Sequence, residues 1–206
     1  MSDAAHWDER YGTAEFVWKT DPNRFLPAEV DGLVPGRALD LACGEGRNAV
    51  WLATQGWTAT GVDFSGVGLN KAATLAESNH VAVEWIPADV TAWESPQQFD
   101  LVVVFYLQIP QPQRRAAFAR AARDIAPGGT LLIVGHDLLN LTEGAGGPQN
   151  PAVLYTPEDV RRDLAAAGVV DLVIDRAERV HRPVDTDTGT TTAIDCLVRS
   201  HRPTKA

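Results

Sequence analysis

Cysteine is scarce in this chain, with only Cys43 and Cys196 among 206 residues. Two thiols make no disulfide framework, and with no export signal they read as free thiols of a cytoplasmic protein. Basic side chains are outnumbered, 18 Lys and Arg against 27 Asp and Glu, for a net charge of −9. That balance argues against general affinity for nucleic acid or an anionic membrane and suits a small-molecule partner. No apolar run approaches the ~20 residues needed to span a bilayer. The opening MSDAAHWDERYG carries acids where a signal or transit peptide would be basic. Repeats, low-complexity tracts and an interdomain linker are also missing. One domain is therefore expected over residues 1–206, with 1–36 as a helical lid segment ahead of an α/β core at 37–199.

What is present is a regular alternation of apolar runs and helical patterns. Strands are predicted at 37–42, 58–63, 81–86, 100–105 and 130–136, and helices at 47–55, 67–78 and 113–126, with a polar turn at 91–98. DLVVVFYL is apolar almost throughout, as a central parallel strand covered on both faces must be. The implied fold is a doubly wound, mostly parallel sheet. Beyond it, Thr156-Pro157-Glu158-Asp159 starts a helix whose apolar positions are Val160, Leu164 and Ala167, with Gly168 as its stop. Two strands follow at 171–182 and 190–199, joined as an antiparallel hairpin by the polar link VDTDTGT.

The most informative stretch is ALDLACGEGRNAVWLA, residues 38–53. It reads as a buried strand, a glycine turn and a helix whose free N–H groups face a ligand. Gly44 and Gly46 leave the backbone open to close approach. Asp63 ends the next strand, where a ribose diol is gripped in such sheets. G-E-G-R-N-A matches the dinucleotide pattern, so a nicotinamide oxidoreductase must be weighed. Against it stand Asp40, an acid inside the strand that favours an ammonium or sulfonium over a pyrophosphate, Asp89 at the end of the third strand, and the closing hairpin. Asp40 has a plainer reading as a cap on its own turn, and Asp63 as the N-cap of the helix from Ser65.

In order and spacing, LDLACGEGRNAVWLA, Asp63, Ala88-Asp89 and IAPGGTLLIVGH resemble the motifs of class I S-adenosylmethionine-dependent methyltransferases. The resemblance extends over residues 37–199 and implies a seven-stranded Rossmann-like sheet. Ala42 departs from it, standing where the first glycine is usual. WDERYGTAEFVWKTDPNRFL and VHR at 180–182 are similar to the thiopurine-methyltransferase and tellurite-resistance type, whose N-terminal segment folds over the cofactor. The resemblance implies that Asp40 and the turn of Ala42, Cys43, Gly44 and Gly46 hold the methionine end of S-adenosyl-L-methionine, with Asn48 at the helix start. It implies that Asp63, with Phe64 beside it, takes the ribose hydroxyls and that Asp89 and the Val90 N–H take the adenine. Phe105 would lie beside the transferred methyl, or simply pack the core. No metal is expected.

The acceptor is expected to be a small molecule with a soft nucleophile: a thiol, a metalloid oxyanion or a heterocyclic nitrogen. A hydroxyl acceptor would need a base. His136, ending the fifth strand, and His181 with Arg182, ending the sixth, are the candidate catalytic residues; each can equally be a structural donor. Trp7, Tyr11, Phe16 and Trp18 form a candidate apolar lid, and residues 140–151 a second. Arg114, Arg115, Arg120 and Arg123 read as a solvated helix face. Monomer and homodimer both remain open, as does a cofactor-binding protein without catalysis.

Overall fold

The computed structural model describes residues 4–204 apart from 14, 18, 187 and 188. Trp18, one of the four lid aromatics, therefore lies outside the described residues. Seven strands are β1 (Arg37–Leu41), β2 (Thr58–Asp63), β3 (Val83–Pro87), β4 (Phe99–Phe105), β5 (Ile125–His136), β6 (Val173–Thr186) and β7 (Gly189–His201). They form one sheet in the order β3-β2-β1-β4-β5-β7-β6, with β7 antiparallel between β5 and β6. The hairpin thus inserts its second strand next to β5 and leaves β6 at the edge.

The helices are α1 (Ala4–Tyr11), α2 (Leu26–Val30), α3 (Arg47–Thr54), α4 (Gly66–Ser78), α5 (Gln111–Arg123), α6 (Asn140–Glu143) and α7 (Pro157–Ala166). Side chains alternate across the strands, so each face has its own core. Ala38, Leu101, Val103, Leu132, Val134, Val180 and Leu197 pack with Leu26 and Val30 of α2 and Leu52 of α3. Leu39, Leu41, Val102, Val104, Leu131, Ile133 and Cys196 pack with Phe118 of α5 and with Val160 and Leu164 of α7. Both faces of β4 are covered, as its unbroken apolar run requires.

Several boundaries differ from the sequence expectation, each for a local reason. β1 stops at Leu41 because Ala42 turns into the left-handed region, φ 61°. The IAPGG segment belongs to β5 rather than to the helix before it; Phe99 pairs with Ile125 and Leu101 with Thr130, so the register shift absorbs the extra residues. The polar link after Arg182 is itself strand, pairing Pro183 with Thr192 and Asp185 with Thr190. Proline is tolerated there because β6 is an edge strand. His181 and Arg182 consequently lie within β6, not at its end.

Two of the four α5 arginines are not solvated. Arg114 is buried, with Nε donating to Asp163 at 2.9 Å and its guanidinium 4.9 Å from the Tyr155 ring centroid. Arg120 donates to the Thr91 and Trp93 carbonyls at 2.8 and 3.2 Å, tying α5 to the turn after β3. The 140–151 stretch is likewise stitched down. Buried Asn140 accepts from the Ile194 N–H at 2.7 Å and donates to the Gly146 carbonyl at 2.8 Å. The start of α7 is as its sequence promises, a Thr156–Asp159 capping box with proline in the first turn.

Candidate active site

Strand register decides which side chains meet. Asp40 pairs with Val103, Val103 with Leu132, Phe105 with Val134, and His136 with Asp195. Counting by twos places Asp40, Phe105, His136, Asp195 and Arg182 on one face of the sheet, the face covered by α2 and α3. All of them stand toward the carboxyl ends of the parallel strands, where ligands bind in open α/β sheets. His181 points to the other face and is exposed.

The glycine turn forms one half of the site. Asp40 is 1% exposed, and its Oδ2 has no hydrogen-bond partner among the described residues. Burial pushes its carboxyl up to about 7, against a hydrogen bond from the Ala49 N–H that pulls the other way. Asp63 is engaged through both oxygens, accepting from Gly44 N–H at 2.8 Å and Ser65 N–H at 2.9 Å. Burial raises its carboxyl in spite of those bonds. Ser65, not Asp63, caps α4, its hydroxyl accepting from the Gly68 N–H. Gly46 answers to packing: a β-carbon there would lie 2.5 Å from Ala72 Cβ and 2.7 Å from Trp85 Cη2. Cys43, a member of the turn, is buried, and burial pushes its thiol well up and makes a reactive thiolate unfavourable.

The N-terminal segment closes over this turn. Asp8 accepts from the Ser65 hydroxyl at 2.5 Å, fixing α1 to the start of α4. Tyr11 is buried against Gly44 and Gly68, and its ring lies 5.3 Å from that of Trp7. Glu45, inside the turn, accepts from Val17 N–H and from Lys71, both at 3.0 Å, and Phe16 packs against the α3–α4 core. Asn48 uses its side-chain carbonyl to accept from the Asn23 N–H at 2.8 Å. Its carbonyl oxygen therefore anchors the lid segment. Asp89 is exposed and accepts from Thr91 N–H and Oγ1, both at 2.8 Å, while Val90 is buried in the core and Phe64 is half-buried.

The other half of the site is a polar centre at the ends of β4 and β5. Tyr106, directly after β4, has φ 54°, an unusual conformation for an aromatic residue. That turn breaks the strand alternation and brings its ring 4.7 Å from the ring of His136. Its hydroxyl donates to Asp195 at 2.9 Å, Arg182 Nε donates to the same carboxylate at 2.8 Å, and His136 Nδ1 lies 3.1 Å from it. Burial pushes the Asp195 carboxyl up, but His136 and Arg182 beside it win and hold it below the usual range. Arg47, at the start of α3, lies within electrostatic reach of Asp40, Tyr106 and Arg182, so it stands between the two halves. Phe105 is packed into the α2–α3 core.

Residues 38–129 match a family described as a methyltransferase domain. That match runs from β1 into the early part of β5 and takes in the glycine turn. The chain is 30% identical over 159 residues to thiocyanate methyltransferase 1 of Arabidopsis thaliana, covering 75% of this chain and 65% of that one. It is 35% identical over 105 residues to a putative methyltransferase of Geobacillus sp. strain WCH70, covering 48% and 42%. The chain thus spans between two fifths and two thirds of the length of these relatives. Among solved structures, TehB from Haemophilus influenzae shares the fold at TM-score 0.71 and 14% identity, over 97% of this chain and 66% of that one. The N-methyltransferase NodS from Bradyrhizobium japonicum, solved with S-adenosylhomocysteine, does so at TM-score 0.69 and 20% identity, over 98% of this chain and 100% of that one.

S-adenosyl-L-methionine is the cofactor that the methyltransferase-domain match and the S-adenosylhomocysteine-bound NodS point to. The turn suits it on structural grounds: a buried carboxylate oxygen without a partner asks for a cationic donor, and an α-ammonium is one. Sequence reasoning missed Asp8, Glu45, Arg47, Tyr106 and Asp195. Asp195 carried a visible signal, an acid within the otherwise apolar AIDCLV, the same signal that marks Asp40.

Proposed function

We propose that this methyltransferase transfers a methyl group to a small-molecule acceptor with a soft nucleophilic atom, a thiol, a metalloid oxyanion or a heterocyclic nitrogen. The observation that carries the reading is the unpartnered Asp40 oxygen beside the glycine turn, with the Tyr106–Asp195–His136–Arg182 centre on the same face of the sheet. Asp40 would take the ammonium of the methionine end, Asp63 the ribose diol through its remaining lone pairs, and Asp89 the adenine amino group. Bound there, S-adenosyl-L-methionine supplies a methyl on a sulfonium that is already electrophilic. The chain's own work is to bind, to orient and to keep water out; orientation alone is worth on the order of 7–11 kcal/mol in favourable systems.

Asp8, Tyr11 and Glu45 hold the N-terminal segment over the donor half. His136 and Arg182 furnish the acceptor half, while His181, on the opposite face, takes no part. The likeness to a thiocyanate methyltransferase is in keeping with a soft acceptor. The test is thermal stabilisation by S-adenosylmethionine and S-adenosylhomocysteine, set against NAD(H), followed by an acceptor panel read out as S-adenosylhomocysteine released. A ligand at ~100 times its Kd should stabilise by about 2.7 kcal/mol. Stabilisation by NAD(H) alone would sink the reading, and failure to methylate any thiol, selenite or heterocycle would favour a non-catalytic binder.

A further inference from the structure

Asp195 is completely buried, and its two oxygens are used differently. Oδ2 accepts from both Tyr106 Oη and Arg182 Nε, whereas Oδ1 forms no hydrogen bond among the described residues and has His136 Nδ1 3.1 Å away, itself buried and without another partner. The imidazole is clamped in that pose. Tyr106 lies tilted against it, and a β-carbon on Gly147 would come within 3.0 Å of its Cγ, Cδ2 and Cε1. Nδ1 is buried, yet the side chain keeps 14% of its surface exposed, so the exposure belongs to its other atoms.

We propose that Asp195 is a positioning residue that keeps the proton of neutral His136 on Nδ1, so that Nε2 acts as general base toward an acceptor that arrives protonated, a thiol or a heterocyclic N–H. The proposal rests on the methyl-transfer reading and narrows it, setting aside acceptors that arrive as anions. An ionised carboxylate accepts and cannot donate, so a neutral imidazole facing Oδ1 must carry its proton on Nδ1. In the step, the acceptor's proton passes to Nε2 and its electron pair forms the new bond to the methyl carbon. The pair of the broken carbon–sulfur bond stays on sulfur, which becomes a neutral thioether. The imidazolium is left against the Asp195 carboxylate, and its proton then goes to solvent.

The Asp195→Asn variant makes a sharp test. Tyr106 and Arg182 both need an acceptor at the Oδ2 position, so the amide carbonyl must take that place and the NH2 must face His136. Nδ1 then has to accept, and the proton moves to Nε2. Long-range 1H–15N spectra of the neutral imidazole should show the Nδ1–H tautomer in the native chain and the Nε2–H tautomer in Asp195→Asn. An Nε2–H tautomer in the native chain, or no change in the variant, would overturn the proposal; if the variant does not fold, the native spectrum alone decides. With 2-mercaptoethanol as acceptor, Asp195→Asn should lower kcat about 100-fold or more with little change in KM. Equal rates would overturn it, as would native transfer to thiocyanate but not to the thiol. Absence of transfer to any acceptor would count against the function proposed above and leave the tautomer result standing.

Discussion

The Tyr11 hydroxyl lies 2.7 Å from the place a β-carbon on Gly44 would occupy. The lid helix and the glycine turn are therefore fitted to each other, and a change in one is felt in the other. Gly44→Ala should push α1 off the turn, speed amide exchange across residues 4–11 and weaken S-adenosylhomocysteine binding. Adding Tyr11→Phe removes the clashing oxygen; the nearest remaining ring atom would be 3.5 Å away, an ordinary contact. The double variant should regain α1 protection but not the strain of alanine at φ 55°, roughly 1 kcal/mol. Equal exchange in all three proteins would show that α1 does not rest on the turn.

Asp40 sets a pH dependence with a definite sign. Burial holds its folded carboxyl near 7, above the usual range, so the folded chain keeps a proton that the unfolded chain has lost. That contribution to stability is whole at acid pH and falls as pH rises toward 7. A cation bound at the free oxygen favours the ionised form, so cofactor affinity should rise with pH up to about 7, by at most about tenfold per unit for one proton. Asp40→Asn should flatten both profiles. Calorimetric titration with S-adenosylhomocysteine at pH 6 and 8 is the measurement; a slope unchanged by the substitution would exonerate Asp40.

Asp63→Ala is expected to cost fold as well as ligand. The carboxylate joins the Gly44 and Ser65 N–H groups, and hydrogen bonds to a charged group are worth about 1.5–3 kcal/mol each. Chemical denaturation should show a loss of roughly 2–4 kcal/mol, with Asp63→Asn milder, while S-adenosylhomocysteine binding weakens in both. An alanine variant of native stability would remove Asp63 from the framework of the turn.

Ala42 stands at φ 61°, where glycine is at ease. Ala42→Gly relieves that strain and gives back part of the gain as unfolded-chain entropy, for a net stabilisation of about 0.5–1 kcal/mol. A lower melting temperature would mean that the methyl group contributes packing that outweighs its backbone cost.

The parallel strands and the glycine turn with its two acids were legible because they are local. An apolar run, a glycine turn and an acid at a strand end declare themselves within 30 residues of chain. The polar centre at the ends of β4 and β5 was not, because its members meet only through the sheet order. Tyr106 and Asp195 are 89 residues apart, and nothing near Tyr106 announces a left-handed backbone. Arg114 and Arg120 misled for the same reason. A helix pattern shows which face is polar, but not that Asp163 and the Thr91 carbonyl wait against it.

The insertion of β7 between β5 and β6 has a consequence for how the protein matures on the ribosome. The strands that carry Asp40, Asp63 and the glycine turn are complete before residue 70 has been made. The carboxylate that organises Tyr106, His136 and Arg182 arrives with the last strand. The glycine turn and its two acids therefore leave the ribosome long before the carboxylate that gathers Tyr106, His136 and Arg182, and that centre can assemble only once the last strand has paired with β5.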